Sequence, residues 1–134
     1  MGRHRLRLAN ETLQEAEVLL EASRWRGAAN RLYYAAFYAA RALLALRDLD
    51  SARHSDVIAL FQRQFVKTNI IPADVARTLP RAFESRQTSD YADTVAVDER
   101  SVRQLKTEVA SFVAACERAL EYLSTETSGV EDAP

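Results

Sequence analysis

The run from Ala28 to Leu44 reads Ala-Ala-Asn-Arg-Leu-Tyr-Tyr-Ala-Ala-Phe-Tyr-Ala-Ala-Arg-Ala-Leu-Leu. It is rich in strong helix formers and apolar on nearly every side. A helix of that kind cannot lie on a surface, so other helices must wrap it. It nevertheless carries a narrow polar line. At about 100° per residue, Asn30, Tyr34, Arg41 and Asp48 fall within roughly 40° of one another. Burying an amide, a phenol and a guanidinium is unfavourable unless each finds a partner. The line therefore belongs to an internal polar network or faces a groove where a ligand binds.

Length and turn chemistry agree with a helical bundle. The chain has 134 residues, enough for one domain whose core buries roughly two thirds of the unfolded surface. With only 3 Gly and 3 Pro, few turns are available, and the elements between them must be long. The net charge of −1 exerts no global pull on nucleic acid or membrane. Its distribution is uneven: residues 1–91 hold 14 Lys+Arg against 10 Asp+Glu, and residues 92–134 hold 4 against 9. A mildly basic body with an acidic end steers a polyanion to one face, or is an ordinary mixed surface. Cys116 is the single cysteine, set in an apolar register, so it reads as a small buried hydrophobe. No secretory apolar segment opens the chain and no run reaches the roughly 18 apolar residues of a membrane span, so a cytoplasmic protein is expected.

Apolar periodicity predicts five helices. The first spans about Arg5 to Ser23, with Leu6, Ala9, Leu13, Ala16 and Leu20 on one stripe. The second spans about Trp25 to Leu49. The third starts near Ser55, a good N-cap, and runs to Lys67 with Val57, Leu60, Phe61 and Phe65 inward. The fourth spans about Ala73 to Ala92, with a kink or restart at Pro80. Asp93 to Val97 is expected to be extended. Asp98 caps the fifth helix, about Glu99 to Ser124, whose inward stripe is Val102, Leu105, Val109, Phe112, Val113, Cys116, Leu120 and Leu123. Short connections between long helices favour antiparallel neighbours. The expected fold is all-α: an up-and-down bundle of four long helices plus one shorter one, as a single domain over residues 1–124, followed by a disordered acidic tail over 125–134.

The fourth helix holds a second anomaly. Val75, Leu79, Ala82 and Phe83 define its buried face, and that face continues into Arg86 and Asp90, with Tyr91 alongside. A charge in an apolar register must be paired or must face a cleft. Arg86 and Asp90, four residues apart, can pair along the helix and close the end of the core. Alternatively Arg86, Asp90 and Tyr91 join Asn30, Tyr34 and Arg41 in one polar groove, where guanidinium groups hold phosphates and tyrosine rings stack on bases. His54, at the start of the third helix, has the near-neutral pKa of a proton carrier, or simply hydrogen-bonds locally. His4 sits in a basic N-terminal run. One Cys and two distant His supply no metal-ligand cluster, and the isolated glycines form no phosphate loop, so no metal or cofactor is expected.

The central helix, the segment His54-Ser55-Asp56-Val57-Ile58-Ala59-Leu60-Phe61, the Phe65-Val66-Lys67-Thr68 end and the run Arg81-Ala82-Phe83-Glu84-Ser85-Arg86-Gln87-Thr88-Ser89-Asp90-Tyr91 together resemble the HEPN family, the higher eukaryote and prokaryote nucleotide-binding domain. The resemblance covers roughly residues 5–123 and is strongest to small prokaryotic single-domain members. It implies a helical bundle that forms homodimers and pairs with a minimal nucleotidyltransferase in a toxin–antitoxin arrangement. It also implies metal-independent ribonuclease activity where an Arg is followed at short spacing by a His. Arg86 matches that Arg, but positions 91, 92 and 93 are Tyr, Ala and Asp, and Asp90-Tyr91 stands in place of the His. Related toxins carry a Tyr that the partner nucleotidylates, and Tyr91 is a candidate by its proximity to the motif.

Three functions follow. The first is a dimeric module whose groove, lined by Asn30, Tyr34, Arg41, Arg86, Asp90 and Tyr91, takes a nucleotide or RNA, or docks a nucleotidyltransferase. The second is a metal-independent ribonuclease using Arg86 with Tyr91 or His54 as proton carrier. The third is a structural helical protein whose polar line glues a dimer.

Overall fold

Alanine sets the packing of the central helix. The apolar run folds as α2 (Trp25–Ala45), in which Ala28, Ala29, Ala35, Ala36, Ala39, Ala40 and Ala42 have no exposed surface, nor do Leu32, Tyr33, Leu43 and Leu44. Small side chains let neighbouring helices approach closely on several sides, and α2 touches each of the other long helices. The computed structural model describes residues 2–91 and 98–131, and side chains over 3–86 and 98–124. Around α2 stand α1 (Gly2–Glu21), α5 (Thr78–Tyr91) and α6 (Glu99–Glu131). Between α2 and α5 the chain forms α3 (His54–Phe61), continued by a π-helical turn over Gln62–Val66, and the single turn α4 (Ala73–Ala76). There is no strand among the described residues.

Ion pairs fix the directions. Arg31 of α2 lies 3.9 Å from Glu15 of α1, and Arg5 at the other end of α1 reaches Asp50 beyond α2, so the two helices run antiparallel. Lys106 of α6 meets Glu17 of α1 at 2.6 Å, while Arg3 and Arg7 share a cleft of about 420 Å³ with Glu117 and Glu121. Helix α6 is therefore antiparallel to α1. Arg81 of α5 bonds Glu108 of α6 at 2.7 Å, and Ser85 and Ser101 share a shallow cleft, which makes α5 antiparallel to α6. The result is the expected up-and-down, all-α bundle.

Helix ends differ from the sequence reading for a stereochemical reason. Helix α2 stops at Ala45, short of Leu49, because Asp48 adopts a left-handed conformation with φ 54°. The Asp48 N–H donates to the Ala45 carbonyl at 3.2 Å and the Leu49 N–H to the Leu44 carbonyl at 3.0 Å, the paired bonds of a Schellman cap. The same pair closes α1 at Ser23 (φ 60°) and the π-helical turn at Asn69 (φ 60°). Glycine is the usual residue at such positions, and the glycine-poor chain uses Ser, Asp and Asn instead. The left-handed region costs a side-chain-bearing residue about 1 kcal/mol or more. Ser23→Gly is accordingly expected to raise the unfolding free energy by up to about 1 kcal/mol, read as a higher urea midpoint at unchanged slope.

The restart expected near Pro80 falls at Arg77, between α4 and α5. Pro80 then occupies the first turn of α5, where no intrahelical N–H bond is lost. The third helix opens at His54, one residue before Ser55, after an extended Arg53. Asp98 caps α6 as expected: its Oδ1 accepts the Ser101 N–H at 2.7 Å and its Oδ2 the Ser101 hydroxyl at 3.1 Å. Helix α6 runs on to Glu131, past Ser124, since extending a formed helix fixes one residue per bond gained. The segment Asp93 to Val97 lies outside the described residues.

The inward stripes follow the predicted periodicity, with Leu13 and Leu123 only partly buried. Leu6, Ala9, Ala16 and Leu20 of α1 are buried, as are Val102, Leu105, Val109, Phe112, Val113, Cys116 and Leu120 of α6. Burial pushes the Cys116 thiol pKa up, consistent with an inert hydrophobe. Phe61 sits 5.4 Å from both Phe65 and Phe112, ring centre to ring centre, and so clamps the end of α3 to α6. Among the described residues no helix is long and apolar enough to cross a membrane.

Candidate functional site

Helical spacing on α2 stacks Tyr33, Tyr34, Phe37 and Tyr38 into a continuous aromatic face, with ring centres 5.1 to 6.3 Å apart. Tyr33 points into the core and is fully buried, whereas Tyr34, about 100° further round, is half-buried. The start of α3 lays His54 against this face. Its ring centre is 4.4 Å from that of Phe37, 5.5 Å from Tyr33 and 6.0 Å from Tyr34. A 2.8 Å hydrogen bond joins the Tyr33 hydroxyl to His54 Nδ1. Helix α5 closes the cluster with two side chains one turn apart, Phe83 and Arg86. Phe83 packs 5.5 Å from Tyr33.

Arg86 is half-buried, with its Nε shut off from solvent. Its guanidinium carbon lies 5.4 Å from the Tyr33 ring centre and 5.3 Å from that of Tyr34. Both distances are within cation–π range. Arg86, Tyr34 and His54 thus come from three separate elements brought to one place.

The electrostatics follow from this geometry. His54 is held below the ordinary histidine value, first by burial and then by the positive charges of Arg86 and Arg41. It is therefore neutral at physiological pH. The Tyr33 phenol is pushed well above its ordinary value, chiefly by burial, with Arg86 opposing and Tyr34 adding to the shift. It stays protonated.

Arg41 and Asn30 extend the strip in both directions along α2. Asp50 grips Arg41 with both carboxylate oxygens: Oδ1 accepts Nε–H at 3.0 Å and Oδ2 accepts Nη2–H at 2.7 Å. Arg5 adds a bond to Asp50 Oδ2 at 3.3 Å and another to the Arg41 carbonyl at 3.3 Å. The guanidinium carbon of Arg41 sits 5.6 Å from the Phe37 ring centre. At the other end, Asn30 Oδ1 accepts two bonds from Arg31, at 3.1 and 2.9 Å, and Arg31 lies 5.2 Å from the Tyr34 ring centre. Asn30 thus meets the site through Arg31.

The Arg41 hydrogen bond, with smaller contributions from Ser51 and Arg5, lowers the Asp50 pKa from 3.8 to about 2. A depressed carboxylate stabilises the folded state above the unfolded value of about 3.8, and that contribution fades as pH falls through about 2. The pair is exposed, so its worth is about 0.2–1 kcal/mol. Asp50→Asn should lose that amount at neutral pH and show a shallower loss of stability in acid titration followed by circular dichroism.

Asp48, placed on the polar line by the sequence, leaves it when α2 ends, and Asp50 is the carboxylate that pairs with Arg41. Asp90 and Tyr91 continue the backbone of α5, but their side chains lie outside the described residues. Sequence reasoning missed Tyr33, Phe37 and Phe83 as site walls. The one available signal was Tyr33: a phenol in an all-round apolar register must find a hydrogen-bond partner. His4 is exposed on α1. Among the described residues no group of three or more His, Cys, Asp or Glu could hold a metal ion.

Over residues 3–123 the sequence matches the HEPN domain. The chain belongs to the HEPN family. It is 38% identical over 117 residues to a "UPF0332 protein" of Thermotoga maritima, covering 87% of this chain and 89% of that one. Two Methanocaldococcus jannaschii proteins named as candidate toxins are each 30% identical to it. One match covers 88% of this HEPN chain and 87% of the relative, the other 72% and 66%.

Proposed function

We propose that this HEPN chain is a toxin-type binding module whose α2–α3–α5 cluster holds the phosphates and bases of RNA or a nucleotide. The observation that carries the reading is the half-buried Arg86 guanidinium set against Tyr34 with His54 beside it. Guanidinium forks match phosphate geometry, and a half-exposed tyrosine ring is a stacking platform for any base. The names of the Methanocaldococcus jannaschii relatives support the toxin assignment. In this reading the single domain forms a cytoplasmic homodimer and is neutralised by a minimal nucleotidyltransferase partner, the pairing that the HEPN resemblance implies.

Binding of a labelled single-stranded oligoribonucleotide, followed by fluorescence anisotropy at several salt concentrations, tests it. Affinity should fall with salt with a logarithmic slope of about −0.7 per phosphate contacted. No binding, or binding without salt dependence, contradicts the reading. Co-expression with a minimal nucleotidyltransferase encoded beside it in the genome, where one exists, should yield a stable complex.

A ribonuclease is the second reading, favoured by one observation: His54 lies in the same aromatic cluster as Arg86. Metal-free cleavage of RNA needs one group to take the 2′-hydroxyl proton and another to protonate the leaving oxygen. This reading requires cleavage in EDTA that both Arg86→Ala and His54→Ala abolish. Intact RNA after long incubation excludes it.

A further inference from the structure

We propose that Tyr33 is a positioning residue that locks His54 as the Nε2–H tautomer, so that His54 meets its ligand as a hydrogen-bond donor to a phosphate oxygen. This deepens the binding reading and rests on it for the identity of the ligand.

The argument is one of hydrogen-bond accounting. The Tyr33 hydroxyl is fully buried, and its hydrogen must find an acceptor or forfeit a hydrogen bond outright. His54 Nδ1, at 2.8 Å, is the acceptor in place among the described residues. If Nδ1 carried the proton instead, it would donate to the phenol oxygen, and the phenol hydrogen would be stranded in the core. The phenol therefore donates. A neutral imidazole has one bare nitrogen and one N–H. With Nδ1 bare, the proton resides on Nε2.

The surroundings keep the ring in this state. Tyr33, Tyr34 and Arg41 face it from α2, and Arg86 acts on it from α5. On its own segment Asp56 is occupied by the Ser51 hydroxyl at 3.1 Å. Two guanidinium charges and burial all oppose a second ring proton. A neutral Nε2–H is a poor base, because its remaining lone pair already accepts the Tyr33 proton. What it offers is an N–H next to a guanidinium. That pair selects a ligand rich in hydrogen-bond acceptors and negative charge, which is the chemistry of a phosphodiester or a nucleotide phosphate.

The test uses the full-length chain labelled with nitrogen-15. Long-range proton–nitrogen correlations of the His54 ring should show Nε2 protonated and Nδ1 bare. Tyr33→Phe removes only the hydroxyl. It should convert the His54 pattern to a mixture of tautomers and weaken oligoribonucleotide binding about 2- to 10-fold. His54→Gln retains an N–H donor and should keep most of the binding, whereas His54→Leu should lose it to the same extent as Tyr33→Phe or more. A proton on Nδ1 in the unaltered chain overturns the proposal. So does an unchanged ring pattern in Tyr33→Phe, or a His54→Gln variant as weak as His54→Leu. Failure of the unaltered chain to bind RNA overturns the site reading itself, and the ring signals decide the tautomer separately.

Discussion

Arg86→Ala should weaken oligoribonucleotide binding by about one to two orders of magnitude. A hydrogen bond to a charged group contributes about 1.5–3 kcal/mol, which corresponds to that range. The substitution also removes a guanidinium packed against two rings, so stability should fall by about 1 kcal/mol while the helical spectrum persists. Arg86→Lys keeps the charge and loses the planar fork, and its affinity should lie between the two. The unliganded protein supplies an independent readout. Burial is the main cause of the low His54 pKa and Arg86 the next. Removing the guanidinium should raise the His54 pKa towards, but not to, its ordinary value of 6.5. A His54 titration unmoved by Arg86→Ala contradicts the proximity on which the site depends.

Phe61→Ala should be strongly destabilising, by about 3–5 kcal/mol. Phe61 is almost completely buried between Phe65 and Phe112, and truncation leaves a cavity lined by two aromatic rings that cannot collapse into it. The loss is a large part of the total stability of a domain of this size, about 5–15 kcal/mol. It also reaches the site. Phe61 ends the helix that His54 begins, so unclamping one end of α3 loosens the other. RNA binding measured below the melting transition should weaken along with stability. Phe61→Leu, which preserves most of the volume, should lose about 1.5 kcal/mol or less and retain binding. Urea unfolding with a change below about 1 kcal/mol for Phe61→Ala would show that α3 is held by something else.

The bundle was legible because periodicity encodes burial directly. The stripes of α1 and α6 could be read residue by residue, and the all-round apolar character of α2 announced a central helix. Arg86 was legible for the complementary reason, as a charge placed where the register demands an apolar residue. What could not be read was tertiary. Tyr33 and Tyr34 are neighbours in sequence, but only the packing of α3 and α5 decides that Tyr33 bonds His54 while Tyr34 stays half-open. Straight helical geometry carried past Ala45 keeps Asp48 on the polar line and gives no sign that Asp50 pairs with Arg41. A left-handed aspartate ends the helix, and nothing in the local pattern distinguishes it from a helical one. The break at Arg77 similarly depends on Pro80 sitting in a first turn rather than an interior.

The central claim is that Arg86, Tyr34 and His54 form one ligand site built from three helices. Titrating a single-stranded oligoribonucleotide into the isotope-labelled full chain, while following the His54 ring, the Tyr33 and Tyr34 ring protons and the Arg86 Nε–H, tests it most directly. All these signals should shift together and saturate at a common concentration. If RNA binds while they stay still, or if they shift at different concentrations, the site lies elsewhere.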